Sequence, residues 1–410
     1  MKKLLLVLLI LSLFINHLNA NEKDLQIIQK DKKEYRLLDK ESIQTRQQSQ
    51  KYDWISPIDL SGNIGRNHSF SDENSRNLNN KNTKSASIGF TQSIFESGGI
   101  GFKMDYADNR FKYEMLSWEN QNSQLIYTIY NTLLDIKKLK LEINQNDYRI
   151  VNKDIELIIK KIQYEAGKTD IIELNNAIMS KNLILKEEIA LKNSLKEKEQ
   201  ELAKYTDLKY DEIEILDFQE TNKEIFLDKN YSILEADAKV DMLNSEYKIK
   251  KSQYLPKLSL SAKASYSNQD EKFNSMINDT NKDDATSSGS LILTMPLYDY
   301  TKSSKVQESK IEVLKQKALV NDLKNETAFE YEQIFTKIDT YLKQNETINK
   351  NIKLYEELIG ANQISSEAGM TSKYDLEILE NTKTINEFDI LINKINILQQ
   401  YAKLYFKIKN

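Results

Sequence analysis

Tyr164-Glu165-Ala166-Gly167-Lys168-Thr169-Asp170 and Ser366-Glu367-Ala368-Gly369-Met370-Thr371-Ser372 read almost alike, with their glycines 202 residues apart. Two further pairs share that period. Ser56-Pro57-Ile58-Asp59-Leu60-Ser61 answers Leu255-Pro256-Lys257-Leu258-Ser259-Leu260, 199 apart by their prolines. Thr91-Gln92-Ser93-Ile94-Phe95 answers Thr294-Met295-Pro296-Leu297-Tyr298, 203 apart. Three anchors in one order, at nearly one spacing, indicate tandem duplication of a unit of about 200 residues. Each unit reads as a proline-led strand, a second strand, a long helix, an Ala-Gly tip and a returning helix.

Outward from these anchors the apolar spacing changes period. After Pro57, Ile58, Leu60, Gly62 and Ile64 alternate with polar residues, and Ala86, Ile88 and Phe90 resume the alternation beyond a polar run at 67–82. After Pro256, Leu258, Leu260, Ala262, Ala264 and Tyr266 alternate, followed by a polar run at 268–288 and then Leu291, Leu293 and Met295. Period two marks strands, expected at 57–66, 85–95, 256–267 and 288–298, about ten residues each. Helical stepping by three and four follows each pair. Ile126, Ile129, Leu133, Ile136, Leu139 and Ile143 form one stripe, which slips in phase near Asp147 and resumes at Tyr148, Val151, Ile155, Ile158 and Ile162. Tyr331, Ile334, Ile338 and Tyr341, then Ile348, Ile352, Tyr355 and Ile359, repeat it. This is coiled-coil-like packing with a stutter. The helical hairpins are expected at 107–207, tip 166–168, and 304–409, tip 368–370. Residues 22–52 are polar and weakly periodic, fitting one or two modest helices.

The units are therefore placed at 21–210 and 211–410, behind an expected secretory signal peptide at 1–20. Lys2 and Lys3 begin it, Leu4 to Phe14 form its apolar run, and Ala20 marks the cleavage edge. No later run of 18 apolar residues suggests a transmembrane helix. Charge is nearly balanced, 58 basic against 62 acidic residues, which gives no footprint for nucleic acid. Cysteine is absent and His68 is the one histidine left after the signal peptide. No Ser-His-Asp triad, zinc cluster or thiol site can be assembled from such a chain, and no Gly-rich phosphate loop is present. The expectation is no enzyme, no cofactor and no metal, with any energy supplied by a partner.

Alternating strands with long polar loops at one end suit a transmembrane β-barrel, although half-buried strands of a soluble protein alternate in the same way. Export favours the barrel. So do aromatics at the strand ends opposite the loops, Tyr52, Trp54, Phe95, Tyr254, Tyr298 and Tyr300, which are distributed as an interfacial belt. Four strands cannot close, since the smallest such barrels have eight, so chains must associate; three would supply twelve strands.

The duplicated order of strand, strand, long helix, glycine tip and helix resembles the TolC-like outer-membrane efflux proteins. The carrying motifs are Tyr254-Leu255-Pro256-Lys257-Leu258 at the start of the third strand and Leu293-Thr294-Met295-Pro296-Leu297-Tyr298 closing the fourth. Glu165-Ala166-Gly167 and Glu367-Ala368-Gly369, each with an acid six residues past the glycine (Glu173 and Asp375), complete the set. The resemblance covers about residues 30–408. It implies a mainly α fold with a β-barrel part: a homotrimer with a twelve-stranded barrel among outer-membrane lipid and an α-helical barrel in the periplasm. It implies partners as well, a periplasmic adaptor (membrane fusion) protein and an inner-membrane pump of RND, ABC or MFS type. The function implied is passive conduction of small molecules or drugs in tripartite efflux. The alternatives are the same duct serving type I protein secretion, and an exported coiled-coil structural or adhesive protein.

Residue roles follow from the same resemblance. Ala166, Gly167, Lys168, Ala368, Gly369 and Met370 are the candidate adaptor-docking tips, and Asp375, with Glu173 behind it, is the candidate aperture lining. Pro57, Pro256 and Pro296 mark strand starts and ends, and Trp54, Phe95, Tyr254 and Tyr298 the interfacial aromatics. The chain departs from the family where Ser93 stands opposite Pro296 and where Ile378, one turn after Asp375, leaves a single acidic ring.

Overall fold

The computed structural model of the chain describes residues 25–69, 79–216, 218, 220–270, 282–367 and 372–409. A 3₁₀ turn at Leu25–Ile27 precedes α1 (Lys30–Tyr52), β1 (Asp59–Ser69) and β2 (Asn79–Phe95). The chain continues through α2 (Gly99–Glu165), α3 (Ile171–Leu202), α4 (Lys223–Asp228) and α5 (Tyr231–Ser252). Then come β3 (Lys257–Asp270), β4 (Lys282–Thr294), α6 (Lys302–Glu367) and α7 (Lys373–Tyr405). The expected signal peptide lies outside the described residues.

The strands run further into the polar loops than the apolar alternation reaches. Asn67↔Lys81 and Asn268↔Asp283 are still in register, because ladder hydrogen bonds are made by the backbone and need no apolar side chain. β4 ends at Thr294, ahead of Pro296, whose missing N–H cannot extend a ladder. The long helices start earlier than the apolar stripe indicates, α2 at Gly99 and α6 at Lys302.

Packing divides the chain into two compact units that cut across its two halves. One, a helical unit, takes the described parts of Met1–Lys40, Leu116–Leu234 and Asn321–Asn410; the other, a sheet unit, takes Glu41–Met115 and Glu235–Val320.

In the helical unit, Phe226, Ile334, Ile338, Leu404 and Ile408 form one buried cluster, flanked by Tyr331 and Phe335 at 4.5 Å between ring centroids. Ile129, Leu133, Leu134 and Ile136 of α2 are fully buried. Beside them Tyr130 stacks on Phe406 at 5.5 Å and meets Phe218 edge-on at 6.0 Å. A polar pin holds α1. The buried Arg36 guanidinium donates to Asn122 (2.6 Å), Gln121 (2.9 Å) and the Trp118 carbonyl (3.0 Å), and the Trp118 indole N–H returns a bond to the Arg36 carbonyl (2.8 Å). Burial lowers the Arg36 pKa, against the opposing pull of Asp39.

From Gln145 onward the interior of this unit changes character. Ile155 stays buried, but Tyr148, Val151, Ile158 and Ile162 of the expected stripe are exposed. The buried positions of α2 there are Gln145, Asn146 and Asn152. Gln145 donates to the Ile385 carbonyl (2.9 Å) and to Asp389 (2.7 Å), Asn146 to the Ile184 carbonyl (3.4 Å), and Asn152 to Thr382 (3.3 Å). Amide hydrogen bonds join α2 to α3 and α7 over this stretch, alongside the Tyr148–Phe388 ring contact (5.9 Å) and the Arg149–Glu187 pair (3.5 Å).

In the sheet unit the helical segments approach closely over small side chains, with Ala107, Ala238 and Ser245 buried. Asn109 donates to Ser245 (2.9 Å), and Arg46–Glu114 (2.9 Å) and Lys51–Asp108 (3.1 Å) tie α1 to α2.

Candidate functional surfaces

The four strands form one antiparallel sheet in the order β1-β2-β3-β4. Their register sorts side chains into two unlike faces. Leu258 pairs with Leu293, Leu260 with Leu291, Ala264 with Ile88 and Ile88 with Leu60, so one face is apolar. A bulge between Ser93 and Phe95 shifts the alternation of β2 and brings Phe95 opposite Leu258 on that same face. From Leu258 to Tyr266 the apolar side chains of β3 cover eight residue steps, about 27 Å at ~3.4 Å per residue, close to the ~25 Å apolar band of outer-membrane barrels. Among the described residues this face is largely uncovered: Leu60 is 79% exposed, Leu291 67% and Leu293 71%. The opposite face is a hydroxyl surface, with side-chain bonds Ser61–Ser87 (2.8 Å), Ser265–Thr286 (2.7 Å), Thr91–Ser261 (3.1 Å) and Ser93–Ser259 (3.4 Å). β1 and β4 have no second strand partner among the described residues.

The expected belt aromatics fall into different environments. Tyr298 is almost fully exposed, Phe95 about half exposed and Trp54 half-buried. Tyr254 is buried within the chain, with the Lys302 ammonium 5.3 Å from its ring centre. Pro57 is exposed just ahead of β1, and Pro256 directly precedes β3, its carbonyl accepting from the Ser97 hydroxyl at 2.7 Å. Between β2 and α2, Glu96 is buried and paired with Lys103 (2.9 Å). Burial pushes its carboxyl up, but the hydrogen bond and charge of Lys103 outweigh that and hold it below its ordinary range.

At the first tip α2 stops on a complete backbone motif. The Lys168 N–H donates to the Gln163 carbonyl (2.8 Å) and the Gly167 N–H to the Tyr164 carbonyl (2.9 Å), with Gly167 at φ +67°. These are the two bonds of a Schellman stop, and the left-handed residue between them is glycine because a Cβ is disfavoured there. Asp170 restarts the chain as the N-cap of α3, accepting from the Glu173 N–H at 2.9 Å. The Glu173 carboxylate is paired with Lys160 at 3.0 Å. Ala166, Gly167 and Lys168 are all exposed, and nothing lies within 4 Å of the position a Gly167 Cβ would take. Ala368, Gly369 and Met370 lie outside the described residues. Past them Ser372 caps α7, its hydroxyl accepting from the Tyr374 N–H (3.1 Å), and Asp375 stands exposed in the first turn.

Known proteins bear on these surfaces. Residues 224–403 match the family model described as outer membrane efflux protein. That match takes in less than half of the chain and lies in its second repeat. No curated protein matches it by sequence. Among solved structures, the CmeC outer membrane channel of Campylobacter jejuni superposes with a TM-score of 0.70 at 13% identity, covering 92% of this chain and 84% of that one. The outer membrane protein VceC of Vibrio cholerae gives 0.71 at 12%, covering 93% and 94%. The MtrE outer membrane channel of Neisseria gonorrhoeae, in its open state, gives 0.68 at 12%, covering 94% and 87%. At such identities it is the fold that is shared. The chain is mainly helical with a small sheet, matching those channel structures in fold. Among the described residues no helix is long and apolar enough to cross a membrane, and no group of acids and histidines sits together as a metal site.

Two features went unread in the sequence. α5 (Tyr231–Ser252) lacks a clean apolar stripe, since its buried residues include the small Ala236, Ala238 and Ser245; its 22 residues without Gly or Pro were the available signal. The amide layer at Gln145, Asn146 and Asn152 was also missed, because polar residues on a helix read as its solvent side.

Proposed function

We propose that three copies of this chain form an outer-membrane exit duct, the last component of a tripartite efflux system. The two-faced sheet carries this reading: an exposed apolar face of bilayer height, backed by a hydroxyl face, between two open edges. An open edge calls for a partner strand, and three four-stranded sheets supply the twelve strands of one closed barrel. In that ring Leu60, Leu260, Leu291 and Leu293 meet lipid while the serines and threonines line the lumen. The helices wall a tunnel in the periplasm, and Ile158, Ile162, Met179 and Leu183, exposed in the single chain, are covered by neighbouring copies. The tandem units 21–210 and 211–410 each supply two strands and one hairpin, and the signal peptide at 1–20 directs export.

In this assembly the tips at 166–168 and 368–370 dock a periplasmic adaptor joined to an inner-membrane pump, and small molecules pass outward by diffusion. Glu173 is held by Lys160, so the aperture role falls mainly on Asp375, one per chain. The test is the detergent-extracted protein: a trimer is expected, and planar bilayers should register channel conductance. A folded monomer, or a trimer that conducts nothing, overturns the reading. Asp375→Ala should weaken block by multivalent cations added on the periplasmic side; unchanged block would return this carboxylate to an ordinary solvated charge.

A further inference from the structure

The hydroxyl face of the sheet is built in rows. Ser61, Ser87, Ser265 and Thr286 share one row by register, and Thr91, Ser261 and Ser290 share another, with hydroxyls bonded sideways in both. The row between them breaks the pattern: Asp59, Gly89, Lys263 and Ser288. Here one hydroxyl is replaced by an acid, one by nothing and one by a base.

Asp59 and Lys263 flank β2 from either side, two strand spacings or about 9–10 Å apart between backbones. Both are exposed, and neither makes an ion pair or side-chain hydrogen bond among the described residues. The other base of this face in β3, Lys257, lies instead within the field of Glu96. Between the two charges the floor is bare backbone, and a side chain there would be crowded. A Cβ on Gly89 would come within 3.0 Å of the Ala262 carbonyl oxygen and 3.3 Å of the Lys263 Cβ. Acid, glycine and base thus share one open groove, walled by the Ser61–Ser87 pair on one side and the Thr91–Ser261 pair on the other.

We propose that the Asp59–Gly89–Lys263 row is a contact station for zwitterionic solutes, resting on the reading that this face lines the lumen. A solute with a cation and an anion a few ångströms apart satisfies both charges at once. Its anion meets Lys263, its ammonium meets Asp59, and the flanking hydroxyls offer neutral hydrogen bonds. A solute of single charge meets one attractive and one repulsive group. The charges are solvated, so the contacts are weak, and a passage needs weak contacts: a solute that binds tightly does not leave.

The experiment uses the full-length channel in planar bilayers with glycylglycine as the probe, against acetate and ethylammonium. Glycylglycine should block current at a concentration about three-fold or more below that needed for Asp59→Asn or Lys263→Gln, in keeping with exposed charge contacts. The singly charged probes should not discriminate in this way. The charge-swapped pair, Asp59→Lys with Lys263→Asp, keeps both signs and should keep the block, which covers the case of a single variant that assembles poorly. Because the natural chain has no cysteine, Lys263→Cys carries a single thiol. Reaction of that thiol with a sulfonated, water-soluble thiol reagent, with a drop in conductance, places position 263 in the lumen. No reaction in the assembled channel overturns the lumen reading and the station with it. Reaction together with equal glycylglycine block in wild type and both single variants overturns the station alone.

Discussion

Two stretches of α2 carry the same apolar spacing and use it in opposite ways. At 126–136 the stripe Ile126, Ile129, Leu133 and Ile136 is buried inside the helical unit. At 148–162 Tyr148, Val151, Ile158 and Ile162 are exposed, and the buried side of α2 from 145 to 155 holds Gln145, Asn146 and Asn152 with the single apolar Ile155. Three–four spacing therefore establishes that a helix has an apolar side, but not that the same chain covers it. Directional amide bonds to α3 and α7 help hold the second stretch together, and, Ile155 and the Tyr148–Phe388 contact apart, its apolar side is left for another surface. The sheet repeats the lesson, with hydroxyl pairs on one face and uncovered leucines on the other.

The largest expected effect separates the two stretches directly. Leu133→Ala removes a fully buried side chain and should destabilise the folded chain by about 2–5 kcal/mol, read from the urea midpoint of the purified protein. Ile162→Ala, more than half exposed, should shift the stability of the isolated chain by less than about 0.5 kcal/mol while lowering the yield of oligomer. Equal losses from the two variants would show that both stripes are core. In the sheet the matching contrast lies between adjacent residues. Leu260→Arg should lower membrane assembly by about 2–4 kcal/mol per chain, whereas Ser261→Arg on the hydroxyl face should assemble. Normal assembly of Leu260→Arg would reverse the two faces.

An effect of middle size probes the amide layer. Gln145→Leu keeps the bulk but takes from the part-buried Asp389 carboxylate its amide donor and from Arg149 its acceptor, for about 1–3 kcal/mol. If the variant is as stable as the parent, the layer is only a by-product of packing, and the second stretch of α2 is held by something else.

Much of this contrast was legible before any coordinates. The alternation after Pro57 and Pro256 gives the strands, and the stripe from Ile126 to Ile136 gives the buried part of α2. What stayed hidden depends on contacts distant in sequence. The row of Asp59, Gly89 and Lys263 exists only once β1, β2 and β3 are in register, and the bulge at Ser93–Phe95 that turns Phe95 to the apolar face has no signature in the alternation. Gln145 and Asn152 looked like solvent-facing residues because their partners are hydrogen-bonding groups on other helices. Of the candidate site residues, Gly167 was readable as a helix stop from its lack of a Cβ. The environment of Tyr254 was not, since burial depends on Lys302 and neighbours that no local pattern announces.

The smallest effect belongs to the end of the same helix. Gly167 sits at φ +67° with open space around it, so any penalty for a side chain there comes from backbone conformation and not from a clash. Gly167→Ala should loosen the turn by about 1 kcal/mol, and Gly167→Asn, whose short amide tolerates the left-handed region, by less. Global unfolding will hardly register a change confined to an exposed tip, whereas local opening will. The Gly167 and Lys168 amides, bonded to the Tyr164 and Gln163 carbonyls, should exchange with solvent about five-fold faster in Gly167→Ala, which is what 1 kcal/mol of local stability amounts to. The amides at 126–136 should keep their rates. If the tip amides of Gly167→Ala keep theirs as well, the turn is held by α3 and its Asp170 cap and not by the glycine stop, and the two hairpin helices are then coupled through their tip as firmly as through their core.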